Sequence, residues 1–307
     1  MKLEQIKPQD YPGLRRLFEK QTYRLCVYSL PSLLSWSNSV YQPYAALSDD
    51  DVLIIAAEYN EAYRKDRHLI LPVSPNKQFP PDELADIAEK LGYPAYWFVP
   101  EDYIHQFGEA HIGRFFDVSE HIGFADYIYL KEDLAELKGN KYSKKRNLIH
   151  QFDKEYVQTN RITTEPITPS LASECLDFLD EWCEERDCGG EKQEDLACEK
   201  QAAANMIRHI GEFDVKGLAT RIDGKIGAFG IASRLTEEIG VLHFEKALAA
   251  VKGLYQYFDS LCAKTLFNGY LYINKESDMN VPGLMQAKKS YHPAMMVKSY
   301  KLTLRTG

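Results

Sequence analysis

In the second half of the chain, apolar positions recur at helical spacing. Leu171, Cys175, Phe178, Leu179 and Trp182 predict an amphipathic helix over 169–185. Leu196, Ala203, Met206, Ile207 and Ile210 predict a second, ended by Gly211. The polar stretch 188–194 between them reads as a loop. The period then changes to two. Stretches 215–222 and 225–233 flank Asp223-Gly224, and Asp-Gly supplies the positive φ angles of a type I′ hairpin turn. A third strand is expected over 239–247 and a fourth over 270–274. Between them, 253–267 carries Leu254, Phe258, Leu261, Cys262 and Leu266 on one helical face. Residues 282–289 read as a short helix and 295–304 as a closing strand.

The first half repeats this order without repeating the residues. A helix is expected over 14–24, a hairpin from 44–47 and 52–59, and a strand over 68–73. Next come a helix over 81–91 bounded by Pro80, Pro81 and Gly92, a strand over 95–99, a helix over 102–107 and a strand over 127–130. The polar and basic stretch 133–152 reads as a connecting helix. A length of 307 residues suits about two domains. The expected division is 1–135, a basic linker 136–160, and 161–307.

Composition narrows the class. With 45% hydrophobic and 27% charged residues, the chain is globular rather than disordered or collagen-like. No run approaches the roughly 18 apolar residues of a membrane helix. Residues 1–10 are charged and lack an apolar signal region, so a cytoplasmic protein is expected. The six cysteines form no C-x-x-C pair, and no histidine interleaves with the group from Cys175 to Cys198. Free thiols and no metal are therefore expected. The net charge of −8 is concentrated: eleven acidic residues between Glu174 and Glu199 face only Arg186 and Lys192. Conversely, Lys138, Lys141, Lys144, Lys145 and Arg146 form a basic patch suited to an anionic ligand.

An ordered set of short motifs runs through the chain: 138–147 (KGNKYSKKRN), 243–247 (HFEKA), 253–256 (GLYQ), 274–276 (NKE), 282–284 (PGL) and 288–293 (KKSYHP). With them the chain resembles the soluble C-terminal domain family of phosphatidylglycerol lysyltransferases over nearly its whole length. The resemblance implies an α/β fold with mixed sheets, in two tandem GNAT-like acyltransferase domains. It also implies a reaction class, since characterised members move an aminoacyl group from tRNA to a lipid headgroup. The chain departs from them in having no membrane-spanning half.

Candidate chemistry lies mainly in the second half. Strand alternation puts Val241, His243 and Glu245 on one face. The resemblance makes that strand a wall of the donor channel, where His243 and Glu245 would orient an attacking amine or take its proton. The same residues equally fit a hydrogen-bonded pair that only holds the sheet. Lys252, Gly253 and Leu254 open the next helix, where a glycine and free N–H groups admit a phosphate. The corresponding first-half loop, 74–81, has three prolines and no glycine, so no second donor site is expected there. Asn274 and Glu276 end the next strand beside the substrate entrance. The resemblance suggests Tyr291 as a phenolic acid for the leaving group, although core packing fits it as well. Tyr142, Lys144, Lys145 and Arg146 either bind donor phosphates or form a solvated helix face.

The expected activity is transfer of an acyl or aminoacyl group from acyl-CoA or aminoacyl-tRNA to an amine or hydroxyl. The acceptor would be a small molecule or a lipid headgroup. The expected route is direct attack, without a metal or a permanently bound cofactor. The absence of G-x-S-x-G, H-E-x-x-H, Walker A and G-x-G-x-x-G sequences argues against the hydrolase, metalloprotease and nucleotide-binding classes. Two alternatives stay open. One is a non-catalytic small-ligand-binding protein on the same fold. The other is a tRNA-associated protein using the basic linker. No DNA partner is expected.

Overall fold

The computed structural model describes residues 2–38, 41–48, 50–59, 66–185 and 194–305. Among these residues there are fourteen strands: β1 (Glu4–Gln5), β2 (Tyr41–Leu47), β3 (Leu53–Tyr59), β4 (Arg67–Val73), β5 (Ala95–Pro100), β6 (Phe116–Glu120), β7 (Asp126–Leu130), β8 (Ile162–Pro166), β9 (Val215–Ile222), β10 (Lys225–Arg234), β11 (Ile239–Ala247), β12 (Tyr272–Asn274), β13 (Met295–Val297) and β14 (Ser299–Leu304). They form two mixed seven-stranded sheets, ordered β1-β2-β3-β4-β5-β14-β6 and β13-β7-β12-β11-β10-β9-β8. This is a mixed α/β fold.

Local chemistry fixes several elements as the sequence predicts. The β9–β10 hairpin turns on Asp223 at φ +49° and Gly224 at φ +86°. The helix Pro81–Leu91 starts after Pro80 and stops at the left-handed Gly92. The helices Ala172–Glu185 and Glu194–Arg208 follow the helical periodicity, and the loop expected over 188–194 falls, up to residue 193, outside the described residues. Other elements differ. The first helix ends at Phe18, and a short helix Leu30–Ser35 follows. The connecting helix breaks into Lys131–Glu136 and Ser143–Phe152, because Leu137 and Gly139 take positive φ between them. Strands β6 and β8 had no expectation. Cys183 is disulfide-bonded, against the expectation of free thiols, whereas Cys26, Cys175 and Cys262 are free. No helix among the described residues is long and apolar enough to cross a membrane.

The expected closing strand over 295–304 is two strands in two sheets. β13 pairs with β7, and after Lys298 the chain crosses so that β14 lies between β5 and β6. In return, β7, which precedes the connecting helices, lies between β12 and β13. Each sheet therefore contains a strand from the other end of the chain. One apolar cluster unites them: Leu69, Tyr96 and Leu302 of the first sheet pack with Ile128, Ile239, Val241 and Val297 of the second.

Leu302 is fully buried in that cluster. Leu302→Ala should lower stability by roughly 2–5 kcal/mol. Deleting residues 299–307 should abolish the single cooperative urea transition followed by circular dichroism. A shortened chain that unfolds like the intact one would show that β14 is dispensable.

The first sheet also buries a histidine. His68 is fully enclosed, stacks on Trp97 with ring centroids 4.1 Å apart, and has no hydrogen-bond partner for either ring nitrogen among the described residues. Burial, with His121 and Lys301 nearby, pushes its pKa down to about 3. The unfolded chain then binds a proton near pH 6.5 that the folded chain refuses, so stability falls as pH drops from about 6.5 toward 3. Relative to His68→Phe, the natural protein should lose up to about 1.4 kcal/mol per pH unit across that window, read from urea midpoints. Parallel pH profiles for the two proteins would refute it.

Candidate functional site

Strand β11 supplies the central side chain through an irregularity. Ile231 of β10 faces Phe244, but its neighbour Ala232 faces Leu242, so His243 is an extra residue with no partner on β10. Such a bulge re-aims side chains and reverses the alternation beyond it. Hence His243 and Glu245 do not share a face, as simple alternation predicted. Glu245 joins Asp259 of the helix Leu254–Thr265 through the ammonium of Lys275, at 2.8 and 2.7 Å. His243 turns toward the first half of the chain.

There it is held at both ring nitrogens. Nδ1 lies 3.0 Å from Glu276 Oε1. Nε2 lies 2.8 Å from Ser233 Oγ and 3.4 Å from Ser29 Oγ, and the two hydroxyls are 3.1 Å apart. If Nδ1 carries the proton and donates to Glu276, Nε2 is left as an acceptor. Ser29 precedes the helix Leu30–Ser35, and Ser233 is the last residue but one of β10. Both hydroxyl-bearing residues line a cavity of about 400 Å³ where the two halves meet. Arg15, Lys20 and Arg234 also line it, with Glu19 and Asp214, and none of the three cations is in an ion pair with a described carboxylate.

Glu276 is placed by backbone chemistry. It has left the strand and takes φ +58°. Its N–H donates to Asn274 Oδ1 at 2.6 Å, while the Asn274 amide donates to Asp126 and to the Arg24 carbonyl. The Lys288 ammonium donates to the carbonyl oxygens of Lys275, Glu276 and Ser277. Burial lowers the Lys288 pKa, although Glu276 and Asp126 pull it up. Burial raises the Asp126 carboxyl to about 6, against the hydrogen bonds it accepts from Asn274 and the Cys26 N–H. Burial likewise raises Glu245 to about 7, with Asp259 adding to the effect.

The sequence-expected residues thus separate into two groups. His243, Asn274 and Glu276 come together. Glu245 and Tyr291 lie on the other side with Lys275 and Asp259. The Lys145 ammonium sits 3.4 Å over the Tyr291 ring and 2.8 Å from Ser290 Oγ, and burial lowers its pKa to about 8. Tyr142 is fully buried, and its hydroxyl donates to the Tyr291 carbonyl. Arg146 donates to the Leu137 and Gly139 carbonyls. Lys144 and Lys252 are exposed, and Leu254 is a core residue. Gly253 is at φ +84°, and a Cβ there would overlap the Leu148 carbonyl oxygen. Its special conformation therefore admits the helix Ser143–Phe152. Sequence reasoning missed Ser29, Ser233, Asp126, Lys275 and Lys288. Ser233 had no signal in the sequence: it is the strand pairing that sets it opposite Val241, beside His243.

Residues 36–303 match the family described as phosphatidylglycerol lysyltransferase, C-terminal. A conserved protein of unknown function from Bacteroides thetaiotaomicron is similar over 99% of both chains, at 29% identity and a TM-score of 0.85. The C-terminal domain of a candidate lysylphosphatidylglycerol synthetase from Agrobacterium fabrum shares the fold at 15% identity and a TM-score of 0.65, over 96% of this chain and 91% of that one. FemX shares it at 8% identity and a TM-score of 0.51, over 97% of each. No curated protein matches the chain.

The Gly253 packing has a measurable consequence. Gly253→Ala should cost roughly 1–3 kcal/mol in urea unfolding, from the positive φ and the overlap with Leu148. An unchanged midpoint would mean that the helix Ser143–Phe152 shifts without cost.

Proposed function

We propose a transferase reading on one premise: the chain belongs to the phosphatidylglycerol lysyltransferase C-terminal family. The family and the fold support a transfer reaction in general. The finer reading is transfer of an acyl or aminoacyl group, from a thioester or an aminoacyl-tRNA, to an amine or hydroxyl. The observation that carries it is the wiring of His243 between Glu276 and the hydroxyls at the cavity floor. A histidine whose Nδ1 is oriented by a carboxylate leaves Nε2 as an acceptor that can take a proton through the Ser233 hydroxyl it faces. The acceptor would be a small molecule or a lipid headgroup.

The cavity supports the same reading. It opens between elements from both halves, where pockets commonly form. Arg15, Lys20 and Arg234 suit the phosphates that acyl-CoA and tRNA both carry. This moves the proposed donor contacts away from Lys252 and Gly253, where the helix Ser143–Phe152 packs. The second half retains the proposed reactive centre and Arg234, and the first contributes Ser29, Arg15 and Lys20.

The test separates chemistry from binding. Glu276→Gln keeps the side-chain shape and should lower single-turnover transfer by about 10²–10⁴-fold, with donor affinity nearly unchanged. Arg234→Ala should weaken donor binding and leave the rate at saturation close to that of the natural protein. Acyl-CoA and aminoacyl-tRNA are offered separately, and transfer is read by mass spectrometry. Equal, small effects from both variants would remove this site from the reaction.

A further inference from the structure

His243 cannot itself meet a substrate. Its side chain is only 1% exposed, and Nε2 is already engaged by Ser233 Oγ at 2.8 Å. Ser29 and Ser233, which hold Nε2, both belong to the residues that line the cavity. The Ser233 hydroxyl has three acceptors in reach, Nε2 at 2.8 Å, Ser29 Oγ at 3.1 Å and the Arg234 carbonyl at 3.2 Å, and the shortest contact is to the histidine. Glu276, His243 and Ser233 therefore form a continuous carboxylate–imidazole–hydroxyl chain that ends on a cavity wall. A structural histidine would also be held at both nitrogens; here the partner of Nε2 is a hydroxyl of a residue that lines a cavity. Here the geometry is that of an activated nucleophile with its base and the group that orients the base.

We infer that Ser233 is a nucleophile that carries the acyl group as a covalent ester during transfer. The inference rests on the transferase reading and departs from the direct attack expected from sequence. In the first step Ser233 Oγ bonds the donor's acyl carbon, and the bond from that carbon to the leaving sulfur or oxygen breaks. The hydroxyl proton passes to His243 Nε2 and on to the leaving thiol or hydroxyl. In the second step the acceptor's amine or hydroxyl attacks the ester carbon. Its proton returns through Nε2 to Ser233 Oγ as the Oγ–carbon bond breaks. Nothing is oxidised or reduced. Ser29 is farther from Nε2, at 3.4 Å, but its hydroxyl lies 3.1 Å from Ser233 Oγ. That places Ser29 to donate to the oxyanion formed at the acyl carbon.

The experiment uses the full chain and diisopropyl fluorophosphate. Attack by Ser233 forms an Oγ–phosphorus bond and expels fluoride, leaving a stable adduct. Intact mass and peptide mapping should find one adduct, on Ser233. Ser233→Ala should carry none. Ser29→Ala should still be modified at Ser233, and Glu276→Gln should react at least tenfold more slowly. Because the key observation is made on the natural protein, it does not depend on whether a variant folds. No adduct on Ser233, or equal modification of natural protein and Ser233→Ala, overturns the inference. If in addition Ser233→Ala still transfers the acyl group, transfer is direct and the transferase reading stands. Modification at Ser233 without transfer from either donor keeps the nucleophile and removes the transferase reading.

Discussion

Ammonium groups taken out of water must be matched, and that demand holds the proposed site together. Lys275 and Lys288 bring two such groups to one short loop. Burial works against the Lys275 charge, but Asp259 and Glu245 outweigh it and hold its pKa well above the ordinary lysine value. Lys288 meets three backbone carbonyls instead. An unpaired charge in such surroundings would cost several kcal/mol, so the backbone from Asn274 to Ser277 has little freedom to move. Glu276 keeps a left-handed backbone conformation, unusual for a glutamate, because these contacts surround it. The position of His243 follows from Glu276, and the hydrogen bond to Ser233 follows from His243. Packing alone would not select this geometry.

Much of this architecture was legible in local chemistry. The Asp223-Gly224 turn, the proline start and glycine stop of the helix Pro81–Leu91, and the strand Ile239–Ala247 each follow from rules that act over a few residues. His243, Asn274 and Glu276 were also named from sequence, because polar groups at strand ends near an expected entrance stand out. The rest depended on pairing between distant segments. Alternation over 295–304 announces extended chain but does not say which sheet receives it. The bulge at His243 leaves no mark in the sequence, and with it Glu245 moves to the opposite face. Ser29 and Ser233 carry no signal as residue types. They become notable only when 204 positions of chain bring their hydroxyls together.

The basic patch shows the converse case. Four charged or aromatic residues within 142–146 invited a phosphate, and the structure gives three of them internal partners. Arg146 satisfies carbonyls where the connecting helix breaks, Tyr142 fills the core, and Lys145 lies over an aromatic ring. Arg15, Lys20 and Arg234, by contrast, pair with no carboxylate among the described residues, and although scattered in sequence they meet at the junction cavity.

The crossing of β14 into the first sheet has a consequence for how the molecule comes into being. A ribosome delivers β5 and β6 early, yet the strand that belongs between them follows only after β7 to β13 have been made. At roughly 5–20 residues per second, that leaves the first sheet waiting for several seconds or more with two unpaired strand edges facing each other. Exposed edges of this kind are templates for the wrong strand. The nascent first half must therefore stay open until β14 has been made. A chain stalled before that strand would present an unfilled slot to its neighbours on the same message.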